Sequence, residues 1–482
     1  MKRKSGKTAL PIIAILLLAL AERLPYFNAP PVSWRQADNA AVSRNYFEGG
    51  MRFLRPQVDW SGTGTGVVQM EFPLYQYSVA ILYKVFGVHE VLGRVVSIAA
   101  SLATIWVMFL LVRGMMGPVA GLWAALALAV FPQYASLSRA FRVEAPVLLC
   151  CALAVYSFRG WLDGRGRRWY WVFAASASLA GLMKIIALIH LAFPLVFLVL
   201  LKKRALFRPQ LWASVALVLA SVMAWYAWSG VLLREGGNSF FGDWSYGSDK
   251  WGNWRLAVSW KFWNLIVFQR VAEKHITWVG FAVLLLGLFS RVRRPAERVF
   301  DWWLAGCLVY SAVVSPGSRV HEHYQVPFVL AAAAVMARGF VRLPRRPRWL
   351  VPLAAAAFVA VGVVRGYFET RDEHRTMADI CRLAPILEAR TSPGDLVIAL
   401  DEGHPGLLYL SHRKGWVAGL DGFRDGAIRR EIAAGARWLA GRYGDPKHPD
   451  KVREMKGYIR DYRVEYDDGK VFIAGAEGAG AR

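Results

Sequence analysis

The chain has 482 residues, of which 56% are hydrophobic and only 19% charged, with 21 Trp among them. A composition this apolar, gathered into repeated greasy runs, excludes a large soluble domain and places the chain among polytopic membrane proteins. The formal charge of +25 invites a nucleic-acid reading, but the positions of the charges remove it, and no nucleic-acid partner is expected.

The N-terminus reads MKRKSGK and then ALPIIAILLLALA, Ala9 to Ala21. A basic start, a greasy run and a terminal Ala19-Leu20-Ala21 suit a cleavable export signal as well as a retained first span. Apolar runs able to cross a bilayer, roughly 17–25 residues each, lie near 9–24, 91–112, 118–136, 143–160, 169–184, 186–201, 210–230, 276–290, 300–316, 325–341 and 349–364. The fifth and sixth are short and share one apolar stretch. With the N-terminus in the cytoplasm, the even-numbered loops and the N-terminal segment hold 22 Lys and Arg against Asp163, Glu297 and Asp301. Positive charge on alternate loops is the positive-inside pattern, so the charge excess reports topology rather than a partner. Cleavage after Ala21 would remove one span from this alternation, and the run reads as the retained first helix.

The same alternation predicts a transmembrane domain over residues 1–364, with outer loops at 25–90 and 231–275, and a tail over 365–482 that is periplasmic or extracellular. In the first outer loop, DNAAVSRNYFEGG has helical spacing and a Gly49-Gly50 stop. EFPLYQYSVAILYKVFG places Phe72, Tyr75, Val79, Leu82 and Phe86 on one stripe. Both read as short helices lying in the outer membrane interface. Between them, DWSGTGTGVVQ has the glycines of a nucleotide loop without the preceding strand or the βαβ unit, and reads as a flexible connection. The second loop, REGGNSFFGDWSYGSDKWGNW, suits stacking on sugar rings or anchoring at the interface equally well.

The tail reads as a small α/β domain: a helix over MADICRLAPILEART, a buried strand over DLVIALD, a helix with a short strand at its end over AIRREIAAGARWLAG, and a hairpin around Asp468-Gly469. Glu402-Gly403-His404-Pro405 after the strand is an ordinary polar loop with some features of a site. The four cysteines (Cys150, Cys151, Cys307 and Cys381) form no ligand pattern and read as small core residues.

Ionisable side chains at bilayer depth are costly and usually face a cavity or a partner. Along the outer ends of the runs stand Asp38, Glu71, Arg94, Arg139, Arg142, Glu144, Lys184, Arg319, His321, Glu322 and His323, whereas the inner ends carry bases almost exclusively. In SRAFRVEAPVLLC, Glu144 opens a helix, where the dipole favours a carboxylate, while Arg139 and Arg142 make a seat for a phosphate. In GSRVHEHYQVP, His321 and His323 at i, i+2 are by themselves weak metal ligands.

Taken together, WRQADNAAVSRNYFEGG, PQVDWSG, EFPLYQYSVAILYKVFG, LGRVVSIAASL, SRAFRVEAPVLL and HEHYQVP resemble a polyprenyl-phosphate-sugar-dependent glycosyltransferase. The relatives are the GT-C fold enzymes that include lipid A aminoarabinose transferase and the protein O-mannosyltransferases. The resemblance spans roughly residues 8–345. It implies a polytopic α-helical membrane protein of about 11 transmembrane helices in the bacterial inner membrane. Such an enzyme moves a hexose or pentose from a lipid-linked phosphate to an envelope glycan, lipid or protein acceptor on the outer face.

The resemblance also distributes roles. Asp38 matches the first-loop catalytic aspartate, although Ala37 stands where a second acid is frequent. Glu144 matches a second acid, where many relatives have Asp. Glu71 matches the acid before the second interface helix, where Phe72 replaces the basic residue that follows it in one branch. Phosphate neutralisation then falls to Lys84, Arg139, Arg142, Lys184, Arg319, His321, His323 and Tyr324, and a divalent metal ion would involve Glu71 and His323. Asp38 would act as general base in an inverting transfer. The rival reading is a transporter or lipid-linked-sugar flippase, which typically shows internal repeats and mid-membrane charges. No repeat is evident, and the charges sit at the outer rim.

Overall fold

The structure is a computed structural model that describes residues 9–31, 33–241, 251–343 and 346–476. The centre of the second outer loop, 242–250, lies outside the described residues.

Each of the eleven apolar runs is helical. In chain order they include α1 (Ala9–Ala21), α4 (Glu90–Met116), α5 (Pro118–Val130), α7 (Glu144–Leu162), α8 (Arg167–Met183), α9 (Ala187–Leu201) and α10 (Pro209–Gly236). Thr277–Leu288, Val299–Val313, Phe328–Arg342 and Leu350–Thr376 complete the set. Among the described residues α4, α7, α10 and Leu350–Thr376 are each long and apolar enough to cross a membrane. The run expected over 118–136 is broken. A proline disfavours helical backbone at the residue before it and lacks the N–H to continue the ladder. Phe131, before Pro132, is accordingly extended (φ −63°, ψ 119°), and α6 (Pro132–Arg139) leaves α5 at 66°. A second bend of 113° separates Trp260–His275 from Thr277–Leu288.

The chain divides into two compact units. The first comprises Met1–Phe27, Arg94–Ala227 and Phe241–Thr370. In it α7 packs on α8, α9 packs on Val299–Val313, and Phe328–Arg342 lies against both α5 and Thr277–Leu288. Every residue from Phe328 to Phe340 is buried. Close approach there depends on glycine: a Cβ on Gly287 would stand 2.0 Å from the Val335 carbonyl oxygen, and one on Gly339 2.3 Å from that of Val283. Helices in an apolar surround associate by such backbone proximity. Arg338, counted among the 22 cytoplasmic Lys and Arg although it falls within the run at 325–341, is buried and paired with Asp301, its Nε donating to the Gly287 carbonyl at 2.8 Å.

The second unit comprises Asn28–Gly93, Trp228–Phe240 and Arg371–Arg482, so the first outer loop belongs with the tail. Two short parallel strands, β1 (Val68–Gln69) and β2 (Asn238–Ser239), pair within it. The tail forms a sheet of β3 (Leu396–Leu400), β4 (Lys414–Ala418), β5 (Ala436–Arg442), β6 (Arg463–Asp467) and β7 (Val471–Gly475), in the order β4-β3-β5-β7-β6. The strand from DLVIALD is β3, and the hairpin around Asp468-Gly469 joins β6 to β7. β4 is the strand the sequence reading lacks, because HRKGWVAGL is too short and mixed to show a period.

Two expectations change here. The helix α2 (Trp34–Glu48) does not lie with one face in a headgroup layer: Gln36 through Tyr46 are all buried, polar residues included. It is enclosed in part by the tail. Arg44 donates to the Tyr409 carbonyl at 2.9 Å and sits 4.6 Å from that ring, and Gln36 donates to Glu373 at 3.0 Å. The helix α3 (Leu74–Phe86) turns Tyr75 and Val79 of the expected apolar stripe inward and leaves Ile81, Val85 and Phe86 exposed. The glycine-rich connection is pinned rather than flexible. The Gly62 N–H donates to the Gly415 carbonyl at 2.6 Å, and the Gly415 N–H to the Asp59 carbonyl at 3.0 Å. Gly62 has φ +58°, and any Cβ there would fall within 2.1 Å of the Trp416 indole.

Candidate active site

In the second unit the centre is Asp38. Helical spacing brings Asp38, Val42 and Asn45 to one side of α2. That side faces the DWSG segment, where Asp59 accepts from Arg44 at 2.6 Å and from Asn45 at 2.9 Å. This clamp fixes Trp60, whose indole N–H donates to Asp38 Oδ1 at 2.9 Å. Asp38 Oδ2 is buried without a hydrogen-bond partner among the described residues. Burial pushes the Asp38 carboxyl up to about 7, against the opposing pull of Arg35 and of the Trp60 hydrogen bond, with Asp59 adding to the rise. An oxygen free to take a proton, on a carboxyl poised near neutrality, is what a general base requires.

Arg35 stacks near Trp34 (5.1 Å) and Phe240 (4.8 Å), and its guanidinium stands 3.9 Å from Glu71. Glu71 thus faces a cation. Lys84 is exposed in the last turn of α3.

In the first unit the centre is Glu144. It opens α7, is buried, and is held by Lys184 Nζ at 3.1 Å and Arg142 Nε at 3.3 Å. Lys184 ends α8 in an extended conformation that turns the chain into α9. Glu144 and Lys184 border a small cavity whose lining also includes His190, Tyr310 and His323, with Val147, Leu148 and Pro327 supplying apolar wall. One carboxylate against two cations leaves a surplus positive charge, suited to a phosphate oxygen. Burial, reinforced by Arg142 and Lys184, holds the His323 imidazole well below its usual range. Tyr324 stacks with His321 at 5.5 Å and with Tyr310 at 6.5 Å, and Lys184 Nζ lies 6.0 Å from its ring.

The remaining sequence candidates are placed differently. Arg139 is buried and donates to the Pro25 carbonyl at 2.5 Å, which binds the segment after α1 to α6. The Arg319 side chain is exposed, and its carbonyl accepts from Arg270 at 2.6 Å. Glu322 is paired with Lys274. In the tail, Glu402 (φ 52°) and Gly403 (φ 79°) make a left-handed turn, and His404 Nδ1 accepts from the Gly406 N–H at 3.0 Å.

Three residues escape the sequence reading. Trp60 lies inside a quoted motif without a legible role. Arg270, buried, braces the His-Tyr segment through the Ser318 carbonyl and Gln325. His190 shows its signal plainly, an imidazole in the apolar run ALIHLAFP. The Trp303 indole N–H donates to His190 Nδ1 at 3.1 Å. Indole can only donate, so the ring is neutral with its proton on Nε2, a buried donor without a partner among the described residues.

For the expected divalent metal ion, no group of three or more His, Cys, Asp or Glu that could hold it is assembled among the described residues.

A family model described as dolichyl-phosphate-mannose-protein mannosyltransferase matches residues 71–228. No curated protein matches the chain. Among solved structures, ArnT from Cupriavidus metallidurans in the apo state is similar with a TM-score of 0.71, and ArnT bound to undecaprenyl phosphate with 0.69. Each is 15% identical, over 98% of this chain and 99% of that one. The apo Archaeoglobus fulgidus oligosaccharyltransferase is similar with a TM-score of 0.57 at 11% identity, over 97% of this chain and 74% of that one. The resemblance carried by the sequence motifs therefore holds at the level of the fold: the chain has the fold of these membrane glycosyltransferase structures, and residues 71–228 match the mannosyltransferase family model.

Proposed function

We propose that the protein is a membrane glycosyltransferase that moves a sugar from a polyprenyl-phosphate donor to a hydroxyl-bearing envelope acceptor on the outer face of the membrane. The observation that carries this reading is Asp38: a buried carboxyl with one oxygen fixed by Trp60 and the other unpartnered. The donor class draws support from similar structures that hold undecaprenyl phosphate or, in the Archaeoglobus fulgidus enzyme, a dolichol-phosphate.

Asp38 accepts the proton of the acceptor hydroxyl through Oδ2 as that oxygen attacks the anomeric carbon, on the face opposite the phosphate. The C–O bond to the phosphate breaks, and the configuration inverts. The leaving group is a lipid monophosphate, whose developing charge calls for cations rather than a proton donor. The sequence resemblance assigns that role to Lys184 and Arg142, and His190 Nε2–H, on the same cavity as Lys184, offers a neutral donor. Glu144 holds both cations in place. No step is routed through a metal ion.

The test is transfer by the purified full chain from an undecaprenyl-phosphate-linked sugar. Asp38→Asn is expected to lose transfer by at least a hundredfold with donor binding retained. Near wild-type transfer by that variant would overturn the base assignment, and an absence of transfer by the wild-type chain with every lipid-linked donor would overturn the enzyme reading.

A further inference from the structure

The end of α7, the end of α9 and the 3₁₀ turn Lys203–Phe207 surround a concavity lined by Leu162, Leu200, Leu201, Lys202, Lys203, Arg204, Ala205 and Arg208. On the charge pattern of the loops, this is the cytoplasmic face. Cations at helix C-termini are ordinary, because they meet the last carbonyls, and Lys202 is used in that way: its Nζ donates to the Leu162 carbonyl at 3.1 Å and to Asp163 at 2.5 Å. Asp163 also faces Arg159 at 3.6 Å, so this carboxylate is already neutralised.

Lys203, Arg204 and Arg208 are left over. All three are exposed, and among the described residues none has a carboxylate partner. Arg208 instead lies 5.4 Å from the Trp161 ring. Beside these cations the same segment presents an apolar rim. Phe207 is 86% exposed, and Leu200, Leu201, Leu206 and Trp212 are also exposed. The Trp212 indole N–H donates to the Leu206 carbonyl at 2.9 Å, which fixes this rim to the 3₁₀ turn. A solvated positive loop needs neither the concavity nor the greasy edge. A basic recess bordered by exposed apolar side chains fits a molecule with an anionic head and acyl chains.

We propose that this recess binds the headgroup of an anionic membrane phospholipid, with Lys203, Arg204 and Arg208 on the phosphate and Phe207, Leu206 and Trp212 against the acyl chains. The proposal rests on the membrane reading of the fold and is independent of the transferase chemistry.

The experiment is native mass spectrometry of the full chain in a neutral detergent, supplied with cardiolipin, phosphatidylglycerol or phosphatidylcholine. The anionic lipids are expected to remain bound to wild type. The triple variant Lys203→Gln/Arg204→Gln/Arg208→Gln is expected to retain them at least tenfold less. A matched triple in the preceding loop, Arg165→Gln/Arg167→Gln/Arg168→Gln, removes the same charge and is expected to bind as wild type. Equal retention of phosphatidylcholine, or equal losses in the two triples, would overturn the proposal. Full displacement by inorganic phosphate would overturn it in favour of a free-phosphate site. Correct folding of the variants is read from the same spectra by their charge-state distribution.

Discussion

The indole N–H of Trp60 donates to Oδ1 of Asp38 at 2.9 Å and leaves Oδ2 without a partner among the described residues. Trp60 is half-buried and packs against the apolar cores of both the first loop and the tail. It therefore links the tail domain to the carboxyl that the proposed reaction uses.

Trp60→Phe keeps most of that packing and removes the donor. A hydrogen bond to the carboxylate favours the charged form, so its loss raises the Asp38 pKa further. Transfer at pH 7 is expected to fall about three- to tenfold, by a typical hydrogen-bond contribution of ~1 kcal/mol. The rate–pH profile should move to higher pH with the plateau largely kept. A uniform drop with no shift of the profile would assign Trp60 a packing role only.

Asp38 itself links activity and stability in opposite directions. Its carboxyl lies at about 7 in the folded protein, raised chiefly by burial, against an ordinary value of about 3.9. The native state therefore binds a proton that the unfolded chain releases, and stability falls as pH rises from about 4 to about 7. A difference of that size is worth on the order of 4 kcal/mol once both states are titrated. Wild-type transfer should rise with pH through about 7 as the base deprotonates. Asp38→Asn should abolish transfer yet show a higher thermal midpoint than wild type at pH 8, measured by scanning fluorimetry in one detergent.

Glu144 holds Lys184 and Arg142 together. Removing one partner of a buried ion pair leaves an uncompensated charge and costs roughly 3–5 kcal/mol. Glu144→Gln is expected to reduce folded yield and thermal midpoint accordingly. Adding Lys184→Gln to it should cost less than the sum of the two single changes. Lys184→Gln alone should raise the KM for the lipid-linked donor more than it lowers kcat. Additive effects in the double variant would separate the two residues.

Gly287 faces the Val335 carbonyl at a distance no side chain tolerates, whereas a Cβ on Gly230 of α10 would meet nothing within 4 Å. Gly287→Val should disrupt the crossing of Thr277–Leu288 with Phe328–Arg342 and eliminate the monodisperse peak in size-exclusion chromatography. Gly230→Val should leave that peak unchanged. Equal behaviour of the two would refute the role of backbone proximity at this crossing.

Sequence alone determined which segments are helices, because a run of apolar residues long enough for a bilayer has few other ways to satisfy its backbone. It also determined β3, the β6–β7 hairpin and the candidate acids Asp38, Glu71 and Glu144, each marked by its setting at the end of an apolar run or before a turn. Tertiary structure decided what those acids meet. Lys184 reaches Glu144 across 40 positions of chain and Trp60 reaches Asp38 across 22, separations that no period or local motif encodes. It decided that α2, polar enough to read as a surface helix, is buried, since its polar side chains find partners in Asp59, Gln76, Glu373 and Tyr409. It also decided that Arg338 is an interior ion-pair residue and not a solvated loop charge. Periodicity reports only that a side chain faces inward or outward, whereas a buried polar group is tolerated only by the specific partner that the fold brings to it.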